Sequence, residues 1–231
     1  MSIKENLNEV NENLKKFASH GETPKLIAVT KTVDIDRIKE AIDCGVTDIG
    51  ENKPQEMSWK YDELKDSVNY HMIGHLQSNK VKDVVGKACL IHSLDRMSVL
   101  KEIEKRASAI NKPQDCLIQL NVAEEEQKSG LYLDDLDSFI KEIEKRKFVK
   151  VKGLMSIAPF AEDPEEIRWV FKKMREIYDK IKNTEYKNIE MKYLSMGMSH
   201  DYKVALEEGS NMVRVGSFIF GKRNYKGCRS Y

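Results

Sequence analysis

Cysteine is scarce and scattered in this chain: Cys44, Cys89, Cys116 and Cys228 form no C-x-x-C pair and no zinc-type cluster. Disulfide scaffolds of oxidising compartments place paired cysteines at tight spacings. The pattern here predicts reduced thiols and a cytoplasmic protein. Long apolar runs are also missing. No stretch approaches the roughly 18 residues of a membrane span, and the opening Met1-Ser-Ile-Lys-Glu-Asn6 has no apolar core of a signal peptide. Neither sign of charge dominates, with 39 Lys and Arg against 38 Asp and Glu. That balance gives no reason to expect nucleic acid or an anionic membrane as partner. Proline is rare, at five residues, and no linker or low-complexity tract interrupts the chain. One domain over residues 1–231 is expected, large enough to bury a sizeable core.

What is present is a rhythm. Ile3, Leu7, Val10, Leu14 and Phe17 recur at helical spacing and predict an amphipathic leading helix, ended by His20-Gly-Glu-Thr-Pro24. Short apolar strands then alternate with helical patterns. The strands fall at 26–30, 48–50, 70–73, 90–93, 116–122, 149–155, 191–195 and 212–215. Helices are expected at 35–42, 54–64, 79–85, 95–110 with Asp95 as N-cap, 133–143, 164–181 and 201–208, with a short helix or tail at the end. Glu124-Glu-Glu-Gln-Lys-Ser-Gly130 reads as a long exposed loop. Alternating strand and helix implies parallel strands joined by right-handed crossovers. Eight such units in this length predict an α/β fold, a single (β/α)8 TIM barrel with an extra N-terminal helix. The competing architecture is an open doubly wound sheet, but no G-x-G-x-x-G follows the first strand.

In such a barrel, function gathers at the C-terminal ends of the strands. Lys31 ends the run Lys25-Leu-Ile-Ala-Val-Thr-Lys31. It reads either as a surface lysine just past a strand or as a partly desolvated amine at a buried strand tip. Desolvation favours the neutral amine that attacks an aldehyde. Arg214 alternates with Val213 and Val215, so it faces either the barrel interior or its outer layer. It needs a partner there, either a structural carboxylate or a ligand acceptor. Gly216-Ser217 and the Ser195-Met-Gly-Met-Ser199 segment follow the last two strands, where this fold commonly seats a phosphate. Both also fit ordinary turns. Met155, Met196 and Met198 are packing residues that are also candidates to line the cavity. His71 and His75 stand four apart, but Gly74 and the strand-to-loop reading remove the helical face that a metal pair would use. No metal site is expected. His200, beside Asp201, caps or packs at a helix start.

An amine, a fixed guanidinium and a phosphate seat together are what pyridoxal 5'-phosphate (PLP) requires of a protein. With these residues assembled, the chain resembles the PLP homeostasis family (YggS/PROSC type), which is similar to the barrel domain of alanine racemase. The resemblance rests on Ala28-Val-Thr-Lys31, Gly50-Glu-Asn-Lys-Pro-Gln-Glu56, His71-Met-Ile-Gly-His-Leu-Gln-Ser-Asn-Lys80, Asn121-Val122 with Lys128-Ser-Gly130, Gly153-Leu-Met155, Leu194-Ser-Met-Gly-Met-Ser199 and Val213-Arg-Val-Gly-Ser-Phe-Ile-Phe-Gly221. It implies a fold-type III PLP barrel without the C-terminal β domain. It implies a PLP aldimine on Lys31, Arg214 facing the pyridine nitrogen, and Asn52 lining the site. It implies phosphate held by Ser195, Met196, Gly197 and Ser199 and by Gly216 and Ser217. The family often carries threonine where this chain has Ser217, and the hydroxyl is kept.

Arginine does not release its proton in proteins. Opposite the pyridine nitrogen it donates a hydrogen bond but does not protonate the ring, so the site is a weak electron sink. No residue reads as an opposing base, and ten residues after Gly221 leave no room for a second domain. The expectation is therefore a monomeric carrier that buffers PLP and hands it to apo-enzymes by transient contact. The rivals are a PLP-dependent amino-acid racemase of low activity and a phosphosugar barrel enzyme that never uses PLP. Whether a second lysine takes PLP for transfer stays open, with Lys80 as the candidate.

Overall fold

The computed structural model describes residues 2–19, 21 and 23–221. Met1, His20, Glu22 and the final ten residues, Cys228 among them, lie outside the described residues. Helix α1 (Ile3–Phe17) opens with a capping box: Glu5 N donates to Ser2 Oγ, and the Glu5 carboxylate accepts from Ser2 N. Ile3, Leu7, Val10 and Leu14 are its buried face. Asn6 donates to Ile219 O and Asn13 to the Tyr202 hydroxyl, which ties the leading helix to the end of the chain.

Eight parallel strands then close on themselves. They are β1 (Lys25–Val29), β2 (Asp48–Glu51), β3 (Asn69–Met72), β4 (Leu90–Leu94), β5 (Gln114–Leu120), β6 (Val149–Ser156), β7 (Ile189–Met198) and β8 (Met212–Val215). Closure comes from β8 pairing with β1, Ile27 opposite Arg214 and Ala28 opposite Val215. The α-helices between strands are α2 (Ile35–Asp43), α3 (Pro54–Leu64), α4 (Met97–Ala109), α5 (Leu136–Ile143), α6 (Arg168–Lys182) and α7 (Tyr202–Glu207); α8 (Ser217–Phe220) follows β8. The expected TIM barrel with a leading helix is the fold.

Two separate apolar layers hold it. The larger lies between helices and strands, and includes Ala28, Ile49, Met72, Ile91, Ile118, Leu154, Leu194, Val213 and Val215. The smaller fills the barrel interior with Ile27, Leu90, Leu117, Met155 and Met212. Strand alternation explains the split: Ile27 faces inward and Ala28 outward.

Four details differ from the sequence reading. The segment after β3 is a 3-10 helix over Ser78–Asp83, not an α-helix. A 3-10 turn over Pro164–Ile167 precedes α6. Asp95 does not cap α4: the cap position is Arg96, which makes no side-chain capping bond, and Asp95 is buried against the Arg96 guanidinium instead. Strand β7 runs on through Met198, so most of the 195–199 segment is strand rather than loop. No helix among the described residues is long and apolar enough to cross a membrane.

The β6–β7 register shifts between Val151 and Gly153, and the cause is local. Gly153 has φ +142°, and a Cβ there would lie 1.8 Å from Tyr193 O. Backbone cannot yield that much. Gly153→Ala is expected to lower the unfolding free energy by about 3 kcal/mol or more, read from urea midpoints; a change within about 0.5 kcal/mol would contradict this account of the bulge.

Candidate functional site

The tip of β1 is clamped from outside the barrel. Pro54 occupies the first turn of α3, where its missing N–H costs nothing. The buried stripe of that helix is Pro54, Met57, Lys60 and Leu64, so a lysine stands where an apolar residue would be expected. Lys60 is fully buried. Its Nζ donates to Thr30 O at 2.6 Å, to Glu51 Oε1 at 2.7 Å and to Glu56 Oε1 at 2.8 Å. Thr30 Oγ1 donates to the same Glu51 oxygen at 2.5 Å. Thr32 N donates to Glu56 Oε1 at 2.6 Å and so holds Thr32 at φ +63°, a left-handed conformation unfavourable for a β-branched residue. Burial lifts the Glu51 carboxyl to about 7, against the opposing pull of Lys60, and its Oε2 has no partner.

Lys31 stands between these two held threonines and is half-buried. Ala28 and Thr30 face the helix layer, the latter through Lys60 and Glu51. Lys25 and Ile27 face the interior, through Asp48 and the inner apolar cluster. Lys31 follows in the turn directly after this strand.

Arg214 projects into the barrel from β8 and is 4% exposed. Nη1 donates to Ser195 O at 2.8 Å and to Ser195 Oγ at 2.6 Å; Nη2 donates to Ser156 O at 2.7 Å. These are neutral oxygens. No carboxylate pairs with Arg214 at salt-bridge distance among the described residues, and the structural-carboxylate alternative falls away there. Burial lowers its pKa to about 10, opposed by the charge of Asp201, so it stays cationic at neutral pH. A guanidinium carries five N–H donors. Three are used, and Nε–H has no partner among the described residues. Nearby, Ser156 Oγ is buried without a partner.

The segment around β7 and β8 divides by role. Ser195 and Met196 are fully buried within the strand, and the Ser195 hydroxyl is taken by Arg214 and His92. Gly197 has φ +91°, and a Cβ there would lie 2.7 Å from Ala205 Cβ and 2.9 Å from Tyr202 Cα, so glycine lets β7 bend against α7. Ser199 Oγ accepts from Gly216 N at 3.2 Å and Phe218 N at 3.4 Å, which joins the two expected seat segments directly. Ser217 is exposed at the start of α8. Met155 is fully buried in the inner apolar layer beneath them. Asn52 follows β2, half-buried, against Gly74: a Cβ on Gly74 would lie 2.3 Å from Asn52 O.

The two histidines part company. His71 lies in the barrel interior between Asp48 and His92, whereas His75 is exposed and bonds Ser129 and Arg96. Among the described residues no group of three His, Cys, Asp or Glu is placed to hold a metal ion. His200 packs rather than caps, stacking on Phe160 with Nε2 3.1 Å from Ala161 O and Glu162 O. Sequence reasoning missed Lys60, Glu56, Asp48 and His92.

Removing Lys60 leaves Glu51 and Glu56 facing each other without their shared cation. Lys60→Met is expected to cost about 3–5 kcal/mol in chemical unfolding. Glu51→Gln, which keeps an acceptor for Lys60, should cost about 1 kcal/mol. Equal losses for the two variants would contradict the clamp.

Comparison with known proteins follows the same lines. The alanine racemase N-terminal domain family matches residues 6–224. A pyridoxal phosphate homeostasis protein of Aquifex aeolicus is 45% identical over 230 residues, covering 97% of this chain and 100% of that one. PipY of Synechococcus elongatus, solved with PLP bound, is 28% identical with a TM-score of 0.84, covering 95% of this chain and 100% of that one. An alanine racemase of Clostridium difficile shares the fold alone, at 16% identity and a TM-score of 0.69, with 96% of this chain matched to 56% of the racemase. The chain belongs to the pyridoxal phosphate homeostasis proteins, within the family that shares the alanine racemase N-terminal domain.

Proposed function

We propose that this protein holds PLP through a reversible covalent link between the Lys31 amine and the cofactor aldehyde, formed with loss of water. In this reading residues 1–231 act as one PLP-binding unit, which buffers the free aldehyde inside the cell and delivers it to apo-enzymes by transient contact. The observation that carries the reading is Arg214. A guanidinium buried without a carboxylate at salt-bridge distance among the described residues, with unspent N–H donors, suits an acceptor supplied by a ligand.

The residues present fit the group. Arg214, held by the backbone oxygens of Ser195 and Ser156, would donate to the pyridine nitrogen. The backbone N–H of Ser217, with the Ser199 and Ser217 hydroxyls, suits a dianion at the mouth, and the Gly216 N–H, held by Ser199 Oγ, would fix the turn that presents them. The Ser195 hydroxyl is committed to Arg214, so Ser195, like Met196 and Gly197, would support the site from within the strand. Asn52 and Met155 would line it. When bound, PLP supplies an aldehyde and an electron-withdrawing ring.

This chain's own groups favour holding over turnover. Arg214 stays protonated and cannot hand its proton to the ring, where a carboxylate partner would strengthen the electron sink. The clamp at Thr30 and Thr32 orients the Lys31 backbone and leaves its amine at the strand tip.

Lys31→Ala is expected to lose the visible chromophore that the parent develops with PLP, and to weaken PLP retention on dialysis at least tenfold. Retention and spectrum equal to the parent would sink the covalent reading. Incubation with single-enantiomer amino acids in deuterium oxide separates carrier from racemase. A carrier leaves the α-hydrogen and the configuration intact, whereas deuterium gain with racemisation would establish the enzyme.

A further inference from the structure

A continuous line of polar side chains crosses the barrel interior, and most of it lies outside the site described above. Lys25 Nζ bonds Asp48 Oδ1 at 2.9 Å and Oδ2 at 3.0 Å. Asp48 Oδ1 lies 2.9 Å from His71 Nε2. His71 Nδ1 lies 3.0 Å from His92 Nε2, and His92 Nδ1 lies 3.1 Å from Ser195 Oγ. Ser195 Oγ accepts from Arg214 Nη1 at 2.6 Å. The line begins at the first residue of β2, beside a cleft lined by Asn11, Thr23, Lys25 and Cys44. It ends at the next-to-last residue of β8.

With both rings neutral and Asp48 ionised, the hydrogens in this line take one consistent assignment. Arginine has donors only, so Arg214 must donate to Ser195 Oγ. The single hydroxyl hydrogen of Ser195 is then free to point at His92 Nδ1, which accepts it when bare. His92 carries its hydrogen on Nε2 and donates to a bare His71 Nδ1. His71 carries its hydrogen on Nε2 and donates to the Asp48 carboxylate, an acceptor only. Reversing the histidine pair would set a bare His71 nitrogen against that carboxylate. Protonating His92 would place a second cation beside Arg214 in a buried space.

We propose that Asp48, His71, His92 and Ser195 form a one-directional hydrogen-bond relay that holds Arg214 in place, making His71 and His92 positioning residues of the ligand site. The proposal rests on the PLP-binding reading of that site. Each donor points away from Arg214 and toward the anionic end at Asp48. Every bond therefore polarises the next, and the Ser195 oxygen becomes a stronger acceptor for the guanidinium. Burial of the two imidazoles agrees with neutral rings: it lowers the pKa of both, with Asp48 opposing at His71, and with Arg214, and His71 whenever it is protonated, adding to the effect at His92. The charged and titratable groups facing the pair are Lys25 from β1, Asp48 from β2, Cys89 beside β4 and Arg214 from β8.

The first test needs no cofactor. Side-chain nitrogen NMR of the full chain labelled with 15N-histidine reads which ring nitrogen bears hydrogen, with His71→Gln and His92→Gln assigning the signals. Both rings should stay neutral with hydrogen on Nε2 from pH 5 to 8. A ring that titrates in that range, or hydrogen on Nδ1 of either, overturns the relay. The second test separates positioning from packing. Glutamine at position 92 keeps one acceptor and one donor, whereas leucine keeps neither. In PLP-loaded protein, His92→Leu should move the pH midpoint of the visible chromophore by about half a pH unit or more, with His92→Gln close to the parent. Identical midpoints in all three overturn positioning through Arg214. If His92→Leu fails to fold, the parent NMR result still decides. If the parent develops no chromophore, the PLP reading fails while the tautomer test remains valid.

Discussion

The ammonium of Lys60 lies within 2.8 Å of a backbone carbonyl and two carboxylates and never reaches solvent. A buried cation of this kind is stable only when its partners surround it. Those partners happen to be the pieces that shape the open end of the barrel: the end of β1 through Thr30, the end of β2 through Glu51, and the first turn of α3 through Glu56. The same Glu56 oxygen holds Thr32 in its left-handed conformation. Lys31 is thus carried on a turn fixed at both sides, by bonds made outside the barrel. Rigid placement of a side chain reduces the ordering that ligand capture would otherwise require.

A second constraint works inside. Five buried apolar residues fill part of the interior, but the remainder is polar, and Arg214 brings a charge into it. The barrel answers with neutral acceptors at Ser195 and Ser156 and with imidazoles behind them. Neutral acceptors hold the guanidinium in place without cancelling its charge. A carboxylate partner would have held it too, but would have removed the reason for a ligand to meet it.

Much of this was legible in the sequence. Apolar strands alternating with helical patterns implied the closed barrel, and the run ending at Lys31 placed that lysine at a strand tip. Alternation of Arg214 with two valines put it on the inner or outer face, and the structure chooses the inner. Other features required three dimensions. Lys60 occupies an apolar position on the stripe of α3, at the spacing of Met57 and Leu64, yet a lone lysine in a stripe is usually read as a solvated end. His71 and His92 lie on different strands, twenty-one residues apart, and only the register brings their rings together. Met198 reads as a loop residue because Gly197 suggests a turn, whereas the glycine serves to bend the strand. Asp95 follows a strand and precedes a helix, the usual setting of an N-cap, but Arg96 draws its carboxylate away.

The claim on which the account depends is that one lysine, Lys31, is the covalent seat. Borohydride reduction of the PLP-loaded protein followed by peptide mass mapping tests it most directly. The account predicts a pyridoxyl mass on the Lys31 peptide alone, with Lys80 and the fully buried Lys60 unmodified. An adduct scattered over surface lysines, or none, would contradict it and return the barrel mouth to a phosphate-binding reading without PLP.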